Sequence, residues 1–520
     1  MGQEKVVIVG AGIGGLACAI ELARSGFQVT VVERAAQAGG KMRETGVGGV
    51  SVDAGPTVLT MRWVFDEIFE AAGASLEAHI ELKPLDILAR HAWNEAERLD
   101  LFADIPRTAE AIGAFAGPKE AAGYRAFCSE SRRIYETLRD SFLTEQKTGP
   151  VGLAGKIGWG RADALLGIRP FDTLWRALGD HFADPRLRQL FGRYATYCGS
   201  SPFAAPATLM LIAHVEQAGV WAVAGGMQRL AEAMEAVATS LGVAFVYGAH
   251  AETIDLERGR AGGVILAGDE RLAADWVVVN ADSAALASGA LGAAARAAAP
   301  AQPAAGRSLS ALTWALRTET RGFPLARHNV FFSADYAAEF DDILRRGRLP
   351  RGPTIYVCAQ DRGDGEPGVA PADRLLVLVN APANGDHAPL DETEIRACET
   401  QVSAHLARCG LALGQPLETA AITSPTDFNA LFPASGGALY GPATHGWAAA
   451  FKRPGARTRI PRLYQAGGGA HPGAGVPMAA LSGRLAAQQL MRDRALAGRS
   501  SRGATPGGMS THSATTASTA

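Results

Sequence analysis

The sequence predicts an α/β protein built on a parallel sheet, into which an antiparallel-sheet domain and a helical layer are inserted. Three observations carry that reading. The first 35 residues hold a strand, a glycine loop, a helix and a second strand; four strand-like runs follow one another between Leu309 and Pro382; and the stretch from Thr108 to Gln217 is mostly helical, with many aromatics. Strand, helix and strand in succession form a βαβ unit, which belongs in a parallel sheet.

In chain order, Lys5-Val-Val-Ile-Val9 reads as a short buried strand, Gly14 to Ser25 as a helix, and Phe27 to Glu33 as the second strand. The loop between strand and helix is Gly10-Ala11-Gly12-Ile13-Gly14-Gly15, a G-x-G-x-x-G pattern, and Glu33 lies 23 positions after Gly10. Gly10 allows the tight turn, Gly12 lets backbone approach a pyrophosphate, and Gly15 lets the helix pack closely on the sheet. The helix start, with free N–H groups and about half a positive charge, holds phosphates. Glu33 suits a ribose 2′-hydroxyl and repels a 2′-phosphate. A glycine turn without a ligand is the competing reading, and the strand, helix and acidic residue together count against it.

Gly39-Gly40-Lys41-Met42 and Asp53-Ala-Gly55-Pro56 come next, then a helix from Met61 to Ala72 and the helical stretch. Alpha and beta elements return with a helix from Met227 to Leu241 and strands at Ala244 to Tyr247, Glu252 to Leu266 and Trp276 to Asn280. Runs at Leu309–Leu316, Asn329–Ser333, Thr354–Ala359 and Leu375–Val379, separated by Gly/Pro/Asp turns, predict an antiparallel sheet with the helix Glu392 to Cys409 over one face. A strand at Leu463 to Ala466 opens the loop Ala466-Gly467-Gly468-Gly469-Ala470-His471-Pro472-Gly473-Ala474-Gly475-Val476-Pro477-Met478, ahead of a helix from Pro477 to Arg494. Pro477 suits a first helical turn. A plain loop with a helix cap competes with a ligand site here. From Gly498 onward the chain is Ser/Thr/Gly/Ala-rich and is expected to be disordered.

Composition excludes several classes. Lys plus Arg number 50 and Asp plus Glu 52, a net charge of −2 that argues against nucleic acid as a partner. Six scattered cysteines without a C-x-x-C pair read as reduced thiols, with no metal site. No run of about 18 apolar residues exists, and the apolar Val6 to Val9 leads into the glycine loop instead of a cleavage site. The expected location is cytoplasmic. Glycine, 61 of 520 residues, is in excess.

The stretch from Glu33-Arg34 through Gly39, Gly40, Lys41, Met42, Asp53, Gly55 and Pro56 resembles the extended dinucleotide signature of the flavin-dependent amine oxidase and carotenoid desaturase superfamily. "LYQAGGGAHPGAGVPMAALSGRLAA", with "ALYGPATHGWAAAFKRPGARTRIPRLY" and "AGGMQRLAEAMEAVATSLG", resembles the bacterial phytoene desaturase family, and among its branches the 1-hydroxycarotenoid 3,4-desaturases. The likeness runs to about residue 495.

The resemblance implies a Rossmann-type FAD-binding domain with non-covalent FAD, made of residues 1–90, 221–300 and 421–497, a helical lid at 91–220, a substrate-binding sheet at 301–420 and a tail at 498–520. It implies FAD contacts from Gly10, Ala11, Gly12, Gly14, Gly15, Glu33, Arg34, Gly39, Gly40, Lys41, Met42, Gly55, Pro56, Gly467, Gly468, Gly475, Val476, Pro477 and Met478. The implied reaction forms a C3–C4 double bond beside a C1 hydroxyl or methoxyl of an acyclic carotenoid, by hydride loss and then proton loss. Desaturation of phytoene is the nearest alternative; an amine oxidase and a flavin-free prenyl binder are the more remote ones. His471 is the first candidate base, with a backbone-bonded, loop-shaping role as its rival. Tyr440, His445 and Trp447 are candidates for lining the substrate site, core packing being the stronger expectation for Trp447. A carotenoid lives in the bilayer, so a membrane surface is the expected partner, inner or photosynthetic. The segment from Val151 through Trp159 and Arg161 to Arg176 has an interfacial mix of apolar, Trp and basic residues. The acceptor that reoxidises the flavin stays open between oxygen, a quinone and others.

Overall fold

A computed structural model describes residues 3–158, 160, 162–363 and 372–502. Five parallel strands form one sheet in the spatial order Ala244–Val246, Gln28–Val32, Lys5–Val9, Trp276–Val279, Leu463–Gln465. Their β-branched residues alternate between two buried faces. Val6, Ile8, Val29 and Val31 pack against helices that include Ile13–Arg24 and Val476–Arg502, whereas Val7, Val9 and Val32 pack against the antiparallel strands Ala251–Glu257 and Arg260–Leu266.

The second sheet has seven strands, ordered Ala421–Thr423, Ser310–Thr318, Asp373–Ala381, Ile355–Ala359, His328–Phe331, Ile87–Ala92, Arg98–Phe102. All pairs are antiparallel except His328–Phe331 with Ile87–Ala92, so the sheet is mixed. The strand period of 2 divides its faces. Leu375, Val377 and Val379 point into a core with Val402 and Leu406 of the helix Glu392–Arg408, while Leu376, Leu378 and Asn380 line a cavity on the other side.

Three expectations need correcting. The segment from residue 91 onward does not start helical: Ile87–Ala92 and Arg98–Phe102 form a hairpin of the mixed sheet, closed by Asn94, whose side-chain oxygen accepts from the backbone N–H groups of Ala96 and Glu97 at 2.9 Å each. The sheet also extends past residue 420 to Ala421–Thr423. The C-terminal helix runs to Arg502, beyond the expected start of the tail at 498; residues 503–520 lie outside the described residues.

The helices Ile13–Arg24 and Val476–Arg502 meet backbone to backbone. A Cβ on Gly483 would stand 2.0 Å from the Gly14 carbonyl oxygen. Gly483→Ala is therefore expected to cost about 1–3 kcal/mol through overpacking, whereas Gly46→Ala, where a Cβ meets open space, stays within about 0.5 kcal/mol. Denaturant unfolding of both variants checks this; equal stabilities contradict the close contact.

Candidate active site

The N-terminal loop has the geometry of a phosphate cradle. Gly12 stands at the start of Ile13–Arg24 with no side chain capping it and no acidic residue in the first turn, which leaves backbone N–H groups free for an anion. Gly10 takes φ +100, and a Cβ on Gly15 would reach 2.1 Å from the Gly10 carbonyl oxygen, so each needs to be glycine. Glu33 accepts hydrogen bonds from the backbone of Ala11 at 2.8 Å and Ala35 at 2.9 Å, which sets its carboxylate beside the loop. Gly39 donates to the Ala11 carbonyl at 2.9 Å, bringing the Gly39–Met42 turn against the same loop. Met42 is buried, and a Cβ on Gly55 would lie 1.9 Å from the Lys41 carbonyl oxygen, so turn and Asp53–Pro56 stretch touch through backbone.

Asn280, which the sequence reading passed over, braces this arrangement. It follows the strand Trp276–Val279, donates from Nδ2 to the Gly10 carbonyl at 3.2 Å, and its side chain is what added Cβ atoms on Gly12, Gly14 and Gly467 would strike. A polar residue ending an apolar strand was the available signal.

Around the C-terminal loop, Gly467 donates to Ser482 Oγ at 3.2 Å, and the Gly468 carbonyl accepts from Arg453 at 3.0 Å. Buried Arg453 also donates to the carbonyls of Tyr440 and Pro442, stitching the two loops together. Two of the expected site residues bond to backbone carbonyls distant in sequence. The Arg34 guanidinium donates through Nη2 to the carbonyls of Ala430 and Leu431, at the end of the helix Pro425–Leu431. His471 is buried, its Nε2 donates to the Glu145 carbonyl at 2.8 Å, and its ring packs edge-on to Phe142 with centroids 4.7 Å apart. Burial pushes its pKa down to about 4, so the ring is neutral. It lies outside the cavity lining. That geometry matches the loop-shaping role of the two considered.

Lys41, Gly55, Pro56, Gly475, Val476, Pro477 and Met478 converge on a cavity of ≈ 450 Å³. Lys41 donates from Nζ to the Leu439 carbonyl at 2.6 Å, and burial pulls its pKa below the usual lysine range. Away from these residues the walls are mostly aliphatic and aromatic, contributed by the helical stretch and the free face of the mixed sheet. Tyr440 and Trp447 line it as expected; Trp447 is 51% exposed and so lies at the rim instead of in the core. His445 lies off the cavity and accepts from the Ser201 N–H at 3.1 Å. The lining also holds polar residues that the sequence reading did not single out, among them Thr57, Arg193, Tyr197, Glu216, His328 and Tyr356. They are scattered along the chain and meet only on folding.

A nucleotide cradle of bare backbone that leads into a mostly apolar cavity is the layout of a cofactor-dependent oxidoreductase. Residues 13–491 match the family of flavin containing amine oxidoreductases. The chain is 54% identical over 514 residues to a hydroxyneurosporene desaturase of Rubrivivax gelatinosus, covering 99% of this chain and 98% of that one. It is 45% identical over 493 residues to a hydroxyneurosporene desaturase of Cereibacter sphaeroides, covering 94% and 98%. Among solved structures, putrescine oxidase bound to putrescine matches with a TM-score of 0.58 at 16% identity over 95% of this chain and 99% of that one. A fatty acid isomerase from P. acnes matches at 0.52 and 14%, over 94% and 98%; both speak for the fold alone. The chain belongs to the flavin containing amine oxidoreductase family, as a desaturase-type oxidoreductase with a flavin cofactor.

Asp53 offers a pH test of the site's framework. Its carboxylate accepts from the Met227 N–H at 3.0 and 3.1 Å, at the start of the helix Gln228–Ser240, and burial pushes its pKa from 3.8 up to about 6. An acid whose pKa is raised on folding holds its proton more tightly in the native state, so stability falls as pH rises from about 4 to about 6 and is flat above. The shift corresponds to about 3 kcal/mol at most. Asp53→Asn keeps an acceptor for Met227 and removes the charge. Unfolding free energies across that range should lose most of this slope in the variant; curves that run parallel to wild type contradict it.

Proposed function

We propose that the protein is an FAD-dependent carotenoid desaturase that forms the C3–C4 double bond of acyclic carotenoids carrying a C1 hydroxyl or methoxyl. The observation that carries the reading is the cavity: mostly apolar, and reaching the two backbone turns, Gly55–Pro56 and Gly475–Met478, assigned to the flavin. The relatives named above support the hydroxylated substrate.

Non-covalent FAD would be held by Gly10, Ala11, Gly12, Gly14, Gly15 and Glu33 at its nucleotide half, by Gly39, Gly40, Lys41, Met42, Gly55 and Pro56 along its length, and by Gly467, Gly468 and Gly475 to Met478 at its ring. The uncapped helix start at Gly12 and the backbone contacts among these glycines fit the group. Bound flavin would supply the hydride acceptor that oxidation of an allylic C–H requires. The chain's own part is positioning: aliphatic walls orient an elongated polyene, exclude water, and hold one C–H at the flavin turns. His471 we assign to shaping the C-terminal loop through its bond to Glu145.

The membrane side of the reading rests on the cavity rim. Phe171 (77% exposed) and Trp447 (51%) stand with ring centroids 5.9 Å apart, next to the cavity-lining Ile168 and Pro170, and Val151 and Leu166 are exposed as well. Exposed apolar residues clustered beside an apolar cavity suit a protein that takes its substrate from a bilayer surface. Trp159 and Arg161 lie outside the described residues. Among the described residues, no helix is long and apolar enough to cross a membrane.

Incubation of the purified protein with FAD and liposomes carrying neurosporene, 1-hydroxyneurosporene or phytoene, followed by visible spectroscopy, tests the substrate. A red shift for the hydroxylated carotenoid alone is expected; lengthening of phytoene instead favours the phytoene desaturase reading. His471→Ala should lower flavin content and melting temperature while turnover per bound flavin stays within about 10-fold, less than the 10²–10⁴-fold loss of a general base. A flavin-replete but inactive variant would return His471 to the chemistry.

A further inference from the structure

The free face of the mixed sheet carries a polar cluster in a mostly apolar setting. His328 and Tyr356 occupy adjacent strands: Tyr356 pairs with Val330 and Cys358 with His328, which makes the two rings diagonal neighbours on the cavity face. The Tyr356 hydroxyl lies 2.7 Å from His328 Nδ1 and 2.7 Å from Thr57 Oγ1, and Arg193 sits over the Tyr356 ring, 5.4 Å from its centroid. This fixes His328 through one nitrogen only. Its other nitrogen, Nε2, is buried and has no hydrogen-bond partner among the described residues. His328 is among the residues that line the cavity, and an unsatisfied buried polar atom in such a residue is unfavourable until a ligand answers it.

We propose that His328, positioned by Tyr356 and Thr57, binds the C1 oxygen of the substrate end group through Nε2 and so determines selectivity for hydroxylated carotenoids. The assignment rests on the desaturase reading above and names the recognition element within it. Substrate geometry supports the location. The C1 oxygen is three bonds from C3, so whatever reads it must stand beside the place where the C3–C4 bond is oxidised. Thr57, the first member of the cluster, directly follows Pro56 of the turn assigned to the flavin. Burial, together with the nearby cations Arg327 and Arg193, pushes the His328 pKa down to about 3, which keeps the ring neutral. A neutral ring presents either an N–H or a lone pair at Nε2, depending on which way the protons run along Thr57, Tyr356 and Nδ1. A hydroxyl, both donor and acceptor, satisfies either form.

The test is the ratio of dissociation constants for neurosporene and 1-hydroxyneurosporene, read from quenching of tryptophan fluorescence in liposomes, with the kcat/KM ratio alongside. His328→Leu should reduce the preference for the hydroxylated carotenoid by about 10- to 100-fold and leave neurosporene binding within about 3-fold. His328→Gln, which restores a donor and acceptor, should recover most of the preference, and Tyr356→Phe should lose part of it. Flavin content and melting temperature report on folding; if His328→Leu fails to fold, the two milder variants decide. Preference unchanged in His328→Leu and Tyr356→Phe, with wild type selective, overturns the assignment of His328 alone. A wild type that neither prefers nor desaturates the hydroxylated carotenoid overturns the functional reading, and this assignment with it.

Discussion

The molecule depends on one close contact, between the two helices that each begin at a glycine loop. Ile13–Arg24 near the start of the chain and Val476–Arg502 near its end approach until a Cβ on Gly14 would stand 2.9 Å from the Gly467 N–H nitrogen and 3.0 Å from the Ala479 carbonyl oxygen. Only bare backbone permits this. Arg484, on the second helix, reinforces it by pairing with buried Glu21 at 3.0 Å and with Glu67 at 2.6 Å. Glu21 is nearly inaccessible and also accepts from Arg24 Nε at 2.7 Å, so its charge is answered from both helices, and the pair with Arg484 fixes their relation more than it adds stability. Asn280 locks the loops themselves, touching both glycine clusters from the strand between them.

From this junction the rest of the site follows by strand and turn. Loops at the ends of the parallel strands belong where ligands bind in such sheets. The Gly39–Met42 turn and the Asp53–Pro56 stretch carry the chain from that edge toward the mixed sheet, and Gln360 of that sheet exchanges two 3.0 Å hydrogen bonds with the Asp53 backbone. The mixed sheet then commits alternate residues to a sealed core and to the cavity. Cavity-facing polar groups on the sheet are therefore few, and they take partners from other segments around the cavity, as Tyr356 does from Thr57. Glu216, on the helix Leu211–Gln217, shows the cost of a polar group at this cavity: it accepts from Tyr194 at 2.7 Å, and burial still raises its pKa.

Legibility in the sequence tracked the range of the interactions involved. Lys5–Val9 and Gln28–Val32 were readable because strand, loop and helix are specified within 35 residues. The hairpin Ile87–Phe102 was not, since Trp93-Asn94-Glu95-Ala96-Glu97 looks like the polar start of a helix until the Asn94 turn is recognised. Arg34 and His471 were noticed for their neighbours in sequence, yet their side chains answer to carbonyls nearly 400 and over 300 residues away. Asn280, Arg453 and His328 were missed for the same reason: a single polar residue acquires its role only from distant partners. Part of the glycine excess now has a mechanical reason in backbone contacts at Gly14, Gly15, Gly55 and Gly483.

A crystal structure with flavin and 1-hydroxyneurosporene bound tests the central claim most directly, that one cavity holds both cofactor ring and polyene. The expected result has the ring between Gly55–Pro56 and Gly475–Met478, the polyene along the aliphatic walls, and the C1 oxygen within hydrogen-bond distance of His328 Nε2. A polyene bound outside this cavity, or one whose hydroxylated end lies remote from the flavin, would contradict it.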